Sequence, residues 1–246
     1  MGKAHYDCDD MTRKASQLAS KGNEIQNAFK AIYDKVESMK DGDAWTGGTY
    51  DQFVDTVNIA TGKLNNIIKS VVSSLPHDIA MNAKATAETG MATAGVSYQD
   101  QQPIELRSLS KTNKGAVWDF DPELTKASQE AIKSKFKEVK SFMSDCQNTA
   151  EQLIESMRST NGEGKVRDLI SAYKQLDIVI EQLSTALDSS VQTQTDAFNM
   201  HETLMATKDK IVEAGKDTLD DAVDALNKAA DKGKQTLSDI KSYFIY

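Results

Sequence analysis

The chain is poor in the residues that punctuate and cross-link. Its 246 residues include two cysteines, three histidines, three prolines and 13 glycines. Cys8 and Cys146 stand far apart, with no CxxC pair, and His5, His77 and His201 show no HExxH spacing. A zinc centre needs four N/S ligands, or three and a water, so no metal site is expected. Whether the fold pairs the two cysteines stays open. No apolar run approaches the ~18 residues that span a bilayer. Met1 to Asp10 hold three aspartates and no apolar core, so no secretory signal peptide is expected. That leaves a protein that is cytoplasmic as made, or exported by a route that needs no such signal. Basic charge is short as well, 29 Lys and Arg against 37 Asp and Glu, net −8. Through Asp121 the balance is 13 against 16, and beyond it 16 against 21, giving −3 and −5. Neither half suits a phosphate backbone, so nucleic acid is not an expected partner. Aromatics are 7% and hydrophobics 39%. That is lean for a compact enzyme and ordinary for long amphipathic helices.

What the chain does have is periodicity. Met11, Ala15, Leu18, Gly22, Ile25, Phe29, Ile32, Val36 and Met39 step by four and three without a break. This is the seam of a helix that packs lengthwise on another. Gly42, Gly47 and Gly48 stop it around Ala44-Trp45-Thr46. A second seam follows in Phe53, Val57, Ala60, Leu64, Ile67 and Val71, and Pro76 is expected to end or kink that helix. A short connection between two long amphipathic helices predicts an antiparallel hairpin. A third seam is Ile132, Phe136, Val139, Met143, Cys146, Ala150, Leu153 and Met157. A fourth is Val166, Leu169, Tyr173, Leu176, Ile180, Leu183, Leu187, Val191, Gln194 and Phe198, and it continues past Met205. The turn between them is Thr160-Asn-Gly162-Glu-Gly164.

The two halves repeat. An offset of 116 carries Phe53 to Leu169, Leu64 to Ile180, Val71 to Leu187 and Gly48 to Gly164. Before the turn the offset is 118, pairing Ile25 with Met143 and Met39 with Met157, so the second turn is two residues shorter. The repeat unit is one helical hairpin. The predicted fold is all-α: two tandem antiparallel hairpins that make a four-helix bundle, plus a C-terminal amphipathic helix. The expected boundaries are a first hairpin over 1–75, a flexible linker with weak helix over 76–121, a second hairpin over 122–205, and a helical tail over 206–246. Trp118 and Phe120 are expected to staple the linker onto the next helix ahead of Pro122. The tail seam is Val212, Leu219, Val223 or Ala222, Leu226, Ala230, Leu237, Ile240 and Phe244, and its end, Tyr243-Phe-Ile-Tyr246, is apolar enough to dock.

Trp45-Thr46-Gly47, in the turn of such a hairpin and within an acidic chain, resembles the WXG family of ESAT-like proteins exported by type VII secretion systems. The likeness covers 1–75 by motif and 122–205 by architecture and repeat alignment. There Asn161 and Glu163 replace Trp45 and Gly47, which makes a degenerate copy. The resemblance implies a non-enzymatic protein of a Gram-positive bacterium, secreted or at the cell surface. It would be either a substrate or an adaptor that pairs helices with a substrate. Its partners would be helical proteins or the secretion ATPase. It implies recognition through Trp45, Gly47 and Gly48. It also implies an export signal of the form Tyr-x-x-x-Asp/Glu. Tyr6/Asp10, Tyr33/Glu37 and Tyr173/Asp177 match that form, none of them just after a hairpin, and Tyr173/Asp177 is the most helix-compatible. Tyr98 lies after the first hairpin but is followed by Gln102. Gly162 and Gly164 form the second-repeat turn. The hairpins would pair within one chain or as a dimer.

The residues also carry plainer readings. The Trp45 ring either plugs the hairpin end or stays partly exposed as a notch for a partner. Tyr33 and Tyr173 sit on the seams. The lysines at 126, 133, 135, 137 and 140 alternate with glutamates and read as a solvated face. The methionines are mostly core filler. The Gly turns lack a phosphate-loop Lys and a preceding strand, there is no G-x-S-x-G elbow, and Asp220 and Asp221 lie on a wet helix. No catalytic residue, cofactor or small-molecule substrate is therefore expected. Two other classes stay open. One is a membrane-active toxin component using Ile79–Val96 and the apolar end, although Asn82, Lys84 and Glu88 speak against membrane contact. The other is a helical scaffold.

Overall fold

The computed structural model describes residues 6–42, 44–91, 95–112, 119–158 and 160–214, and Lys228. Every regular element among these residues is helical: α1 (Cys8–Asp41), α2 (Gly48–Lys69), a π-turn (Ser70–Ser74), α3 (Leu75–Thr89), α4 (Pro122–Ser156) and α5 (Gly162–Ala214). Trp118, the tail beyond Ala214 apart from Lys228, its apolar end included, and the side chains of Leu204 and 206–214 lie outside the described residues. None of the described helices is long and apolar enough to cross a membrane.

The helix ends follow from local chemistry. The Asp7 carboxylate accepts the Asp10 N–H at 2.9 Å and caps α1, and Lys40 faces the dipole at the other end. Asp121 accepts the N–H groups of Glu123 and Leu124, both at 2.9 Å, ahead of Pro122 in the first turn of α4. The seams are buried along their length, from Met11 to Met39, Phe53 to Val71, Ile132 to Met157 and Val166 to Gln194. Phe198 is half-buried. Phe120 meets Phe198 of α5, ring centroids 5.8 Å apart, where a staple onto its own helix was expected.

Pro76 does not end the second helix. The π-turn carries the chain from α2 into α3, and the Leu75 N–H reaches back five residues to the Ser70 carbonyl. Such a widened turn accommodates a ring that would clash in an ordinary helix. The chain stays helical from Gly48 to Thr89.

Two compact units divide the chain. One gathers Met1–Ile32, Gly62–Arg107 and Ser134–Ile180, the other Tyr33–Thr61, Ser108–Lys133 and Glu181–Tyr246. The division cuts α1, α2, α4 and α5 each in two, rather than separating the sequence repeats. In the first unit α1 packs tightly on the π-turn at Gly22, where a Cβ would stand 2.7 Å from the Val71 carbonyl oxygen. Lys21 lies 4.9 Å from the Phe142 ring centroid, Lys165 pairs with Asp78 at 2.9 Å and Lys140 with Asp177 at 3.1 Å. In the second unit the Tyr33 and Thr61 hydroxyls bond at 2.8 Å, Tyr50 donates to the Val36 carbonyl, and Lys133 and Gln129 share Asp188. Cys8 and Cys146 are both free thiols.

Candidate functional site

The turn between α1 and α2 belongs to the second unit. α1 closes by bonds from the Ala44 and Trp45 N–H groups to the Met39 carbonyl, at 3.0 and 3.2 Å. The chain then pairs with residues just before α4. The Thr46 N–H bonds the Asp119 carbonyl and the Asp121 N–H bonds the Ala44 carbonyl, both at 2.9 Å, a single antiparallel bridge of Trp45 with Phe120. The Thr46 hydroxyl donates to the Asp119 carboxylate at 3.1 Å and accepts the Asp119 N–H at 2.9 Å. The Thr125 hydroxyl takes the second lone pair of the Ala44 carbonyl at 2.7 Å. Gly47 has φ 95°, a conformation that other residues adopt only under strain, and its N–H bonds the Thr112 hydroxyl at 3.1 Å. Gly48 opens α2 with nothing in reach of a side chain.

Trp45 is wholly buried in this frame. Tyr50 meets its ring edge-on at 5.6 Å and Phe53 stacks on it at 5.9 Å. Of the two readings open from sequence, the ring takes that of the plug. Its Nε1–H is buried without an acceptor. An unpaired buried donor costs about 1–3 kcal/mol, a debt this packing carries.

The other sequence candidates lie in the first unit. Tyr173 is fully buried, its hydroxyl beside the Cys146 thiol. Burial raises its pKa far above the usual phenol value, and the thiol adds to this. Burial likewise pushes Cys146 up to about 11. Asp177 points outward to Lys140. The two halves of that Tyr-x-x-x-Asp pair therefore face opposite surroundings, and the tyrosine offers no surface. Tyr33, the seam residue of another match, is raised to about 12 by burial, partly offset by its bond to Thr61. Gly162 is buried where a Cβ would overlap the Met157 methyl, and Gly164 is open. A groove of about 290 Å³ borders Leu18, Lys21, Asp145 and Cys146 in this unit. No group of three or more His, Cys, Asp or Glu placed to hold a metal occurs among the described residues.

Sequence reading missed the residues that hold the turn shut: Thr46, Thr112, Asp119 and Thr125. It also missed the side-chain ties of 101–112. The one available signal was Asp121-Pro122, which marks a helix start and so places 119–121 at that end of α4. No protein-family model, curated protein or solved structure matches the chain.

Proposed function

We propose that the chain is a non-enzymatic WXG-type protein of a bacterial type VII secretion system, exported itself or acting as an adaptor that pairs helices with a substrate. In this reading α1 and α2 make one antiparallel hairpin and α4 and α5 its divergent repeat, the two pairing as a four-helix bundle. One observation carries it. A Trp-x-Gly turn joins two long seam helices, with the glycine at a positive φ and the tryptophan locking the end. The mechanism is packing: each amphipathic stripe covers another, and the locked helix ends present a fixed surface to the translocation ATPase. Because Trp45 is covered, that surface consists of its exposed neighbours, Asp41, Gly42 and Gly48.

The test is accumulation in culture supernatant, with and without the secretion ATPase. Trp45→Ala and Met157→Ala are compared because both empty a buried turn position. Export that needs the ATPase and fails for Trp45→Ala while Met157→Ala still leaves the cell supports recognition at the first turn. Equal accumulation outside the cell in both strains sinks the reading, while retention inside in both moves it to the adaptor.

A further inference from the structure

An asparagine carboxamide lies within reach of the neighbouring backbone, the next residue's nitrogen included, and a protein normally keeps the two from reacting. A side chain on the next residue crowds that nitrogen, and a helix commits its N–H to the carbonyl four residues back. Asn161 has neither protection. It is the one asparagine of the chain that a glycine follows. Gly162 is the first residue of α5, where an N–H has no carbonyl to bond within the helix. The Gly162 N–H reaches only the Thr160 hydroxyl, at 3.3 Å, long against the ~2.9–3.0 Å that such bonds favour. The Asn161 side chain is exposed and forms no hydrogen bond with any described residue.

Packing fixes the glycine. A Cβ at 162 would overlap the Met157 methyl and stand 3.2 Å from the Asn82 Cβ of α3. The residue that leaves Asn161 open to attack is therefore the one this turn requires. The exposed asparagines elsewhere lack this setting. Asn27, Asn148 and Asn199 lie inside α1, α4 and α5 and precede alanine, threonine and methionine.

We propose that Asn161-Gly162 is a site of spontaneous modification that makes the second turn more anionic. The Gly162 nitrogen gives up its proton and attacks the Asn161 Cγ. A C–N bond forms, the Cγ–Nδ2 bond breaks and ammonia leaves, which closes a five-membered imide. Water then opens the imide on one side or the other. Attack at Cγ gives aspartate. Attack at the main-chain carbonyl carbon gives isoaspartate, with the chain running through Cγ. The net change is amide and water to carboxylate and ammonium, with no oxidant or reductant. An aspartate here stands at the favourable end of the α5 dipole. An isoaspartate adds one backbone atom to the turn and so disturbs the contact of Gly162 with Met157. This stands whether or not the chain is exported.

The experiment ages the full chain in neutral buffer at body temperature and samples it over days. Trypsin, cutting after Arg158 and Lys165, releases 159–165, in which Asn161 is the sole asparagine. Chromatography with mass spectrometry is expected to show this peptide converting to two acidic isomers, the isoaspartyl one in excess. The peptides that hold Asn27, Asn148 and Asn199 should stay unchanged. Isoelectric focusing of the whole chain should shift by one negative charge. An isoaspartyl methyltransferase should label the aged chain from S-adenosylmethionine and leave aged Asn161→Gln unlabelled, with circular dichroism confirming that this variant is helical. Asn161 intact in the folded chain overturns the proposal, and conversion of the same chain in urea would show that the fold itself protects the site. Labelling that persists in Asn161→Gln, or equal conversion at the helical asparagines, overturns it as well.

Discussion

The turn after α1 and the turn after α4 each follow a seam that ends in a buried methionine, Met39 and Met157, and each leads through a glycine into the next helix. Beyond that they differ. In the first, Trp45 fills the interior and the backbone borrows partners from 112 and 119–121. In the second, the aligned position is Asn161, which is exposed, and Met157 itself closes against Gly162. The Thr160 hydroxyl satisfies the Met157 carbonyl at 2.6 Å and the Thr160 N–H bonds the same oxygen. Two residues fewer leave no room for an inserted ring, so the shorter turn is tied chiefly by its own atoms, with one bond from outside, the Tyr6 hydroxyl donating to the Arg158 carbonyl at 3.2 Å. The longer one depends on a segment some 70 residues away in sequence. A tryptophan plug is thus a joint property of two chain segments.

The largest expected effect that sharpens this contrast is Trp45→Ala, which should cost about 3–5 kcal/mol in urea unfolding followed by circular dichroism. A cost below ~1 kcal/mol would mean the ring plugs nothing. Gly162→Ala should cost about 1–3 kcal/mol through overlap with the Met157 methyl. Most of that should vanish beside Met157→Ala, as double-mutant cycles detect for residues in contact. Gly47→Ala should cost about 1–2 kcal/mol for its positive φ, and no substitution at Asn161 should match it.

Alkaline unfolding comes next. A thiol raised by the fold ionises earlier in the unfolded chain. The Cys146 contribution is therefore whole below pH 9 and is lost as pH rises through about 11. In the second unit Tyr33, shifted from 10 to about 12, loses its contribution one step later. Thermal melts of Cys146→Val should begin to fall about one pH unit later than those of the unsubstituted chain; coincident curves would remove the thiol from the account. The smallest effect is shared. Gly48→Ala and Gly164→Ala, both open to solvent, should each stabilise by about 0.4–1 kcal/mol.

The seams were legible because burial repeats every three or four residues and the sequence repeats with it. Tyr173 shows the limit of a short pattern. Its spacing to Asp177 suggested a surface motif, but its place between Leu169 and Leu176 on the seam decided where it went. Pro76 was read as an end or a kink, and the π-turn that carries the helix past it has no signature in residue type. The ties of 101–112 were invisible for another reason. They are polar, they join residues 41 to 78 positions apart, and Asn58 or Asn65 alone looks like any helix surface residue.

The π-turn acts as a frame shift. Continued from Ile67 and Val71, the seven-residue step would turn Ser74, Asp78, Met81 and Ala85 inward. One added residue rotates everything downstream by about 100°, and Pro76, Ile79, Ala83 and Ala87 are buried instead. Gly22 leaves the space into which the widened backbone swells. Drawing 70–74 back into an ordinary α-helix with no residue deleted would present Asp78 to the core and Ile79 to water, whereas deleting one residue from 70–74 would restore the register and keep Ile79 buried.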